Sequence, residues 1–495
     1  MSSSADTDRE GLTAANLRRH VGLLEKRLLR NQQDRLESPD DPERWIKSEV
    51  DLEEQIRMFR DLSTMPELFE SFEEYGGLRI LCDALSHPNI DISIATLNVL
   101  NELLDPELIV GLQKADHFLK AVHSLGFHKL CITTLLKIDE DNSEVDYEGV
   151  KSALEMLESL VEMFPSVVEE VSANVELLLF LLKRMKSSKT VEYDSNRVQA
   201  SELLCVLFQQ SEECLKLVGG PKVEGIDKLL RIVTVYRKKD PEGVEEEEIV
   251  ENAFQCLCNL MLVAPNRVAF GKLQGIKLLV RLIKERRFTY QLAIKLLDYA
   301  LMDCPASCTL FVEGMGLKSI FSVLMRKGVK TKAGTEAEKQ EDEHVLGALH
   351  SLCTHCTGTE LARVMNKFVE HKYEKLERLV ELHEKYTSLS KAAVNRMDNK
   401  STSAKSMYSA LNLNEDTQDY LDKYEAGLSI CQLVNCIFLR LYNMGNKNLS
   451  TCLLLLLHNK DYLEHLDDSA SDSRQHMEKL LKNFLIGCSD SGLFN

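Results

Sequence analysis

A helical pattern of apolar residues returns roughly every fifty positions along this chain, a period typical of repeat architectures. It starts each time from a small residue: Gly77, Gly126, Asn174, Gly225, Gly275 and Gly316, separated by 49, 48, 51, 50 and 41 residues. Apolar side chains follow one, four, five and eight positions later. After Gly225 they are Ile226, Leu229, Leu230 and Val233; after Gly275, Ile276, Leu279, Val280 and Ile283; after Gly316, Leu317, Ile320, Phe321 and Leu324. The unit at Gly126 keeps Phe127, Leu130 and Cys131, then departs at Thr134. This spacing is one face of an α-helix. The small leading residue suits a tight corner between helices, where a side chain would clash or φ turns positive.

Ahead of each start lies another apolar helix pattern, at Ile94–Leu104, Val150–Phe164, Ala200–Gln209, Asn252–Leu262 and Gln291–Met302. Short segments such as Ser211–Lys216 and Asn266–Lys272 join the two. Two or three helices in each period of ~40–50 residues is the armadillo/HEAT signature. One unit cannot bury its apolar face alone, so neighbours must stack into a shared core. The expected fold is an all-α, armadillo/HEAT-type right-handed α-solenoid with atypical helical caps at both ends.

Four regions are expected. Residues 1–75 form an N-terminal helical cap, with helices at Leu12–Leu36 and Glu43–Leu62 parted by Ser38-Pro-Asp-Asp-Pro42. Residues 76–387 hold the array of about six to seven units. Within it, Thr331–Glu343 is charged and apolar-poor and reads as a solvated loop. Residues 388–416, rich in Ser, Asn and Lys, read as a linker or mobile loop. Residues 417–495 close the array as a C-terminal cap, with helices at Gln418–Leu441, Asn448–His458 and Ser473–Leu485.

Composition agrees with helices. Of 495 residues 44% are hydrophobic but only 6% aromatic, with 10 prolines and one tryptophan, which disfavours sandwiches and barrels of short strands. The 14 cysteines are scattered through apolar helical runs, as at Cys205, Cys256, Cys258 and Cys436, so they read as core residues in a reducing compartment. Met1–Glu10 is polar and acidic rather than signal-like, and no stretch approaches the ~20 apolar residues that span a bilayer; no membrane partner is expected. The formal net charge of −18 argues against non-specific DNA binding and favours basic partners. RNA contact and a homo-oligomer stay open.

No motif points to catalysis. Cys353-Thr-His-Cys356 is a CxxC without a second CxxC to complete a zinc site, and it reads, like Cys304 and Cys308, as core packing. Gly314-Met-Gly316 follows a helix rather than a strand, so it is no dinucleotide fingerprint. No phosphate loop, HExxH or GxSxG is present. The expectation is a protein with no catalytic, cofactor or metal residues. Glu245–Glu248 follows Pro241 and reads as an acidic helix start that the helix dipole favours, a calcium or basic-partner role being the alternative.

Basic clusters recur near the ends of the small-residue-led helices: Lys183/Arg184/Lys186, Arg237/Lys238/Lys239, Lys284/Arg286/Arg287 and Arg326/Lys327/Lys330. Cations at a helix C-terminus oppose its dipole, which is the local explanation. In a solenoid, equivalent positions align, so the clusters would also form a basic stripe for acidic segments or a nucleic-acid backbone. Lys277, Arg281 and Lys284 share one helical face and extend it. The candidate partner-binding residues are Lys183, Arg184, Arg231, Lys277, Arg281, Lys284 and Arg326.

Ser38–Leu68, SPDDPERWIKSEVDLEEQIRMFRDLSTMPEL, resembles the opening of the ordered region in the β-catenin-like protein 1 family of nuclear armadillo proteins. The likeness continues through Asp91-Ile-Ser-Ile-Ala95, Leu181-Leu-Lys-Arg184, Ser201-Glu-Leu-Leu204, Glu224-Gly-Ile-Asp227, Ala293-Ile-Lys-Leu-Leu-Asp298 and Leu379-Val-Glu-Leu-His-Glu-Lys-Tyr386, in order over Leu23–Tyr386. Asn395–Asn414 and the residues beyond Asn446 match poorly.

The resemblance implies a non-catalytic scaffold of the nucleus, associated with the NineTeen-type complex of the spliceosome in pre-mRNA splicing. It also implies binding of the basic nuclear-localisation segments of splicing factors. Such ligands suit the overall charge but not the basic stripe. The family's basic import tail has no counterpart here, since Arg18-Arg19 is too short; nuclear entry is then expected through a partner or an internal segment, with the cytoplasm as the alternative. An importin-type receptor would repeat Trp and Asn along its groove, and the one tryptophan, Trp45, lies outside the repeats. A cytoplasmic armadillo adaptor of the β-catenin or transport type is the runner-up. A metal-dependent enzyme built on Cys353 and Cys356 is the last alternative.

Overall fold

The computed structural model describes residues 11–110, 115–186, 194–328, 331–397, 421–444, 446, 449–450 and 452–453. Among the described residues every regular element is a helix. The chain divides into two compact units, Met1–Ile232 with Glu242–Cys256, and Val233–Pro241 with Leu257–Asn495.

The first unit opens with a cap of α1 (Leu17–Glu37), α2 (Pro42–Met58), two 3-10 turns and α3 (Phe69–Glu74). A threefold rhythm follows. A helix led by a small residue gives way to a long helix and then to a short one. The small-led helices are α4 (Gly77–Leu85), α8 (Phe127–Leu135), α11 (Val175–Arg184) and α14 (Gly225–Val235). The long ones are α5 (Ile90–Leu103), α9 (Glu144–Met163), α12 (Ser195–Gln210) and α15 (Val244–Leu260). The short ones are α6 (Pro106–Val110) with α7 (Ala115–Leu125), then α10 (Pro165–Ser172) and α13 (Glu212–Gly219). Like stacks on like: α5 packs on α9 and α9 on α12, α4 on α8, and α10 on α13.

The second unit repeats the rhythm through α16 (Ala264–Lys272), α17 (Gly275–Glu285), α18 (Tyr290–Leu301), α19 (Pro305–Glu313), α20 (Gly316–Leu324), α21 (Glu336–His355), α22 (Gly358–Val369), α23 (Glu374–Met397) and α24 (Ser429–Asn443). Again α18 packs on α21 and α21 on α24, while α17 packs on α20 and α16 on α19. The periodic residues make the cores: Ile226, Leu229, Ile276, Leu279, Ile283, Leu317 and Ile320 are all buried. The long helices begin earlier than their apolar residues suggest. Ser143, Asp194 and Thr335 cap α9, α12 and α21 by accepting backbone N–H bonds, and a polar first turn follows each cap.

The leading glycines are required by contact. A Cβ on Gly275 would come 2.5 Å from the Phe270 ring, and one on Gly316 would come 2.3 Å from the Phe311 ring. Both rings are fully buried. The positive φ falls one residue earlier, on Gln274 (66°) and Met315 (60°). At Gly126 the roles reverse: its φ is 65° and a Cβ would meet nothing. Asn174 leads its helix differently, as an N-cap whose side chain accepts from the Leu177 N–H at 2.9 Å.

Two expectations need correction. Thr331–Glu343 is not a loop throughout, because α21 starts at Glu336. Its first turns lack apolar residues because they are buried through charge. Glu338 and Glu341 pair with Arg326, and Lys385 pairs with Glu338 and Asp342. Likewise, residues 388–397 are helical, since α23 runs to Met397 and Ser390 hydrogen-bonds the Lys423 carbonyl at 3.1 Å. The rest of the proposed linker lies outside the described residues. So do most of Asn448–His458 and all of Ser473–Leu485.

Gly316→Ala forces Cβ into the Phe311 ring and is expected to destabilise the protein by about 1–3 kcal/mol, the usual cost of overpacking. Urea titration of the variant, and of Gly316→Ala with Phe311→Leu, checks this; the double change should recover part of the loss.

Candidate binding cleft

In the first unit the outer faces of α9, α12 and α15 enclose a cleft of about 580 Å³. Its charge is one-sided. Glu144 and Glu148 come from α9, Glu202 from α12, and Glu245 and Glu248 from α15, with Lys151 the one cation among the lining residues. Tyr147 and Ser195 close one end through a 3.0 Å hydrogen bond between their hydroxyls. Beside the cleft, Glu155 accepts from Asn101 on α5 at 2.7 Å and from Gln199 on α12 at 3.2 Å, so its carboxylate ties three long helices together.

The crowded carboxylates disturb one another. Glu202 is pushed up to about 7, first by burial, then by a hydrogen bond with Glu248 and by the charges of Glu158 and Glu248. Glu158 is raised by burial and by Glu162 and Glu155. Glu202 therefore gains or loses its proton around neutral pH rather than in the usual carboxylate range. A cationic side chain entering here would take that proton's place.

Lys151 does little to relieve this. Its nearest carboxylate is Glu148 at 3.9 Å, a surface pair. Glu245–Glu247 do occupy the first turn of α15, as their position after Pro241 suggests, yet Glu245 also faces the cleft. Glu144, Glu148 and Glu202 were missed from the sequence. A signal existed: Glu144, Glu148, Glu155, Glu158 and Glu162 recur at helical spacing along α9.

The basic candidates fare unevenly. In the first unit Lys183 is exposed. Arg184 is not available in the same way: it is ion-paired with Glu140 at 2.6 Å and forks onto Asp194, with 11% of its side chain exposed. Arg231 is exposed but paired with Asp227 at 2.7 Å on its own helix. In the second unit Arg326 turns inward to Glu338, Glu341 and the Thr331 carbonyl. Arg237 pairs with Glu285, and Arg287 with Asp240. Lys277, Arg281 and Lys284 differ from these paired arginines. All three are exposed along α17, with no carboxylate partner among the described residues. Arg184 and Arg326 thus act inside the fold, Arg184 holding the half-buried Glu140 and Asp194 and Arg326 the buried Glu338 and Glu341.

The CxxC is less solitary than its sequence suggests. Cys304 and Cys308 on the α19 side meet Cys353 and Cys356 at the end of α21, all four buried. The Cys308 thiol hydrogen-bonds the Cys356 sulfur, which raises Cys308 and lowers Cys356. Among the described residues no three His, Cys, Asp or Glu side chains converge as metal ligands.

Comparison with known proteins agrees with this architecture. The family model described as "Catenin-beta-like, Arm-motif containing nuclear" matches residues 1–469. Beta-catenin-like protein 1 of Homo sapiens is 30% identical over 493 residues, covering 96% of this chain and 86% of that protein. The homolog from Schizosaccharomyces pombe is 32% identical over 386 residues, 77% of this chain and 66% of its own. A crystal structure of an engineered protein superposes with a TM-score of 0.52 at 14% identity, covering 95% of this chain and 98% of the other, a likeness of fold alone. With an all-helical threefold repeat and a family match along nearly its whole length, the chain belongs to the catenin-beta-like, Arm-motif-containing nuclear family.

Proposed function

We propose that this protein is a non-catalytic scaffold that holds lysine- and arginine-rich segments of partner proteins in the acidic cleft of its first unit. The observation that carries this is the lining itself: five carboxylates against one lysine, with Glu202 raised first by burial and then by its neighbours Glu248 and Glu158. A guanidinium or ammonium group is the ligand that relieves this repulsion. Membership of a nuclear armadillo family supports the finer reading. In it, the segments are nuclear-localisation signals of splicing factors, and the protein works in the nucleus with the NineTeen-type complex of the spliceosome in pre-mRNA splicing.

A second ligand class is favoured by one observation. Lys277, Arg281 and Lys284 stand exposed on one face of α17 with no carboxylate partner among the described residues. That face suits an acidic protein segment or an RNA backbone. Arg281→Glu with Lys284→Glu should weaken capture of such a partner in a salt-sensitive way and leave basic-peptide binding unchanged.

Fluorescence anisotropy with a synthetic Lys/Arg-rich peptide tests the cleft. Glu202→Gln with Glu248→Gln is expected to weaken binding by about tenfold, or about 1.4 kcal/mol. Unchanged affinity would remove the cleft from consideration. Affinity purification followed by mass spectrometry tests the finer reading, with splicing factors expected in the eluate.

The raised Glu202 also predicts a pH dependence. A bound cation favours the ionised carboxylate, so its pKa is lower in the complex than in the free protein. Above about pH 7 Glu202 is already ionised and affinity is full. Below that, binding must expel a proton, and affinity falls by up to about tenfold per pH unit. Titrations of a histidine-free peptide at pH 6 and pH 8 should show this loss, and Glu202→Gln should flatten it.

A further inference from the structure

Beside the Glu202–Glu248 pair, two thiols lie against each other. The sulfurs of Cys205 on α12 and Cys256 on α15 are 3.3 Å apart. Cys256 is fully buried and Cys205 is 7% exposed. The helices meet closely here. The Cys205 thiol also donates to the Asn252 carbonyl at 3.3 Å, and the Asn252 side chain donates to Ser201 Oγ at 2.9 Å. A disulfide needs sulfurs about 2.05 Å apart, so closing the bond requires the two to approach by about 1.2 Å.

Position along the helices gives the pair its interest. Cys205 follows Glu202 by one turn, and Cys256 follows Glu248 by two turns. The thiols therefore lie on the same helix–helix seam that brings the two carboxyl groups together. A covalent bond between them would hold α12 and α15 at fixed separation beside the cleft.

We propose that Cys205 and Cys256 are a reversible redox pair, oxidised by a hydroperoxide to a disulfide that staples the α12–α15 wall of the acidic cleft and reduces its affinity for basic segments. The disulfide stands on the thiol geometry alone; its effect on affinity rests on the proposed function of the cleft.

The chemistry balances with one peroxide. Cys205, the less buried sulfur, attacks a peroxide oxygen as its thiolate. The O–O bond breaks, Cys205 becomes a sulfenic acid, and hydroxide leaves to take up the thiol proton as water. The Cys256 sulfur then attacks the Cys205 sulfur. The S–S bond forms, the S–O bond breaks, and the departing hydroxide leaves as a second water with the Cys256 proton. Two electrons pass from the sulfur pair to the peroxide. With the staple in place α12 and α15 cannot move apart beside Glu202 and Glu248 to make room for a cationic head group.

The test uses the full chain, reduced and then titrated with hydrogen peroxide, with remaining thiols alkylated before digestion. A peptide linking Cys205 to Cys256 is expected, with an intact-mass loss of about 2 Da that dithiothreitol reverses. Cys205→Ser and, should that variant fold poorly by circular dichroism, Cys256→Ala should both abolish that link. Absence of the linked peptide while the protein stays folded would overturn the proposal, as would a link confined to another pair such as Cys308 and Cys356. Anisotropy with the Lys/Arg-rich peptide then compares the two redox forms. Binding about tenfold weaker in the oxidised form supports the staple, a size common for coupling between sites. Equal affinity in both forms overturns its regulatory role. Binding in neither form overturns the proposed function of the cleft and leaves the disulfide to be judged by mass alone.

Discussion

A buried phenyl ring laid against a glycine turns the chain from one short helix into the next at three corners: Phe72 against Gly77, Phe270 against Gly275, and Phe311 against Gly316. The ring fills the space a side chain would occupy, and the backbone comes close enough for the two helices to share one core. At Gly225 the same place is taken by Val218. These corners set the angle at which each unit leaves its short helix. They thereby decide which residues of the long helix point inward and which point out. The acidic face of α9, α12 and α15 is available because these helices bury their opposite, apolar faces in the core, as Val150, Leu204 and Val250 show.

Charge is divided between two jobs. In one, opposite charges are drawn together under the surface. Arg184 holds Glu140 and Asp194, and Arg326 and Lys385 hold Glu338, Glu341 and Asp342, with the Tyr386 hydroxyl bonded to Asp342 at 2.8 Å. In the other, like charges are left together on an open or half-buried face. The five carboxylates of the cleft have little internal compensation, and Glu202 shows the strain by its raised pKa. A fold gains nothing from such crowding, which is why it reads as a place for a ligand.

Much of the fold was legible from residues. The apolar spacing after Gly225, Gly275 and Gly316 located α14, α17 and α20, because a helix buried on one face must repeat its apolar residues at helical period. The start of α21 was not legible, because Glu338, Glu341 and Asp342 are buried by ion pairing, and hydrophobic periodicity cannot see a charged core. The site was less legible still. A basic residue at a helix end looks the same in sequence whether it is exposed, like Lys284, or spent on carboxylates, like Arg184, since one of those partners, Glu140, lies far along the chain. The cleft joins side chains from three helices, so no single stretch announces it. Family likeness carried the expectation of basic ligands, and the carboxylates of α9, α12 and α15 supply a surface of matching sign.

The inward-facing ion pairs have a consequence for how the molecule meets its medium. Dissolved salt weakens attraction between charges in contact with water and scarcely reaches those shielded by protein. The anchors around Arg184 and Arg326 are thereby insulated from ionic strength, while exposed cleft carboxylates such as Glu144 and Glu148 feel far more of it. One polypeptide can keep its shape across a wide range of salt while its grip on a charged guest tightens or slackens with each change.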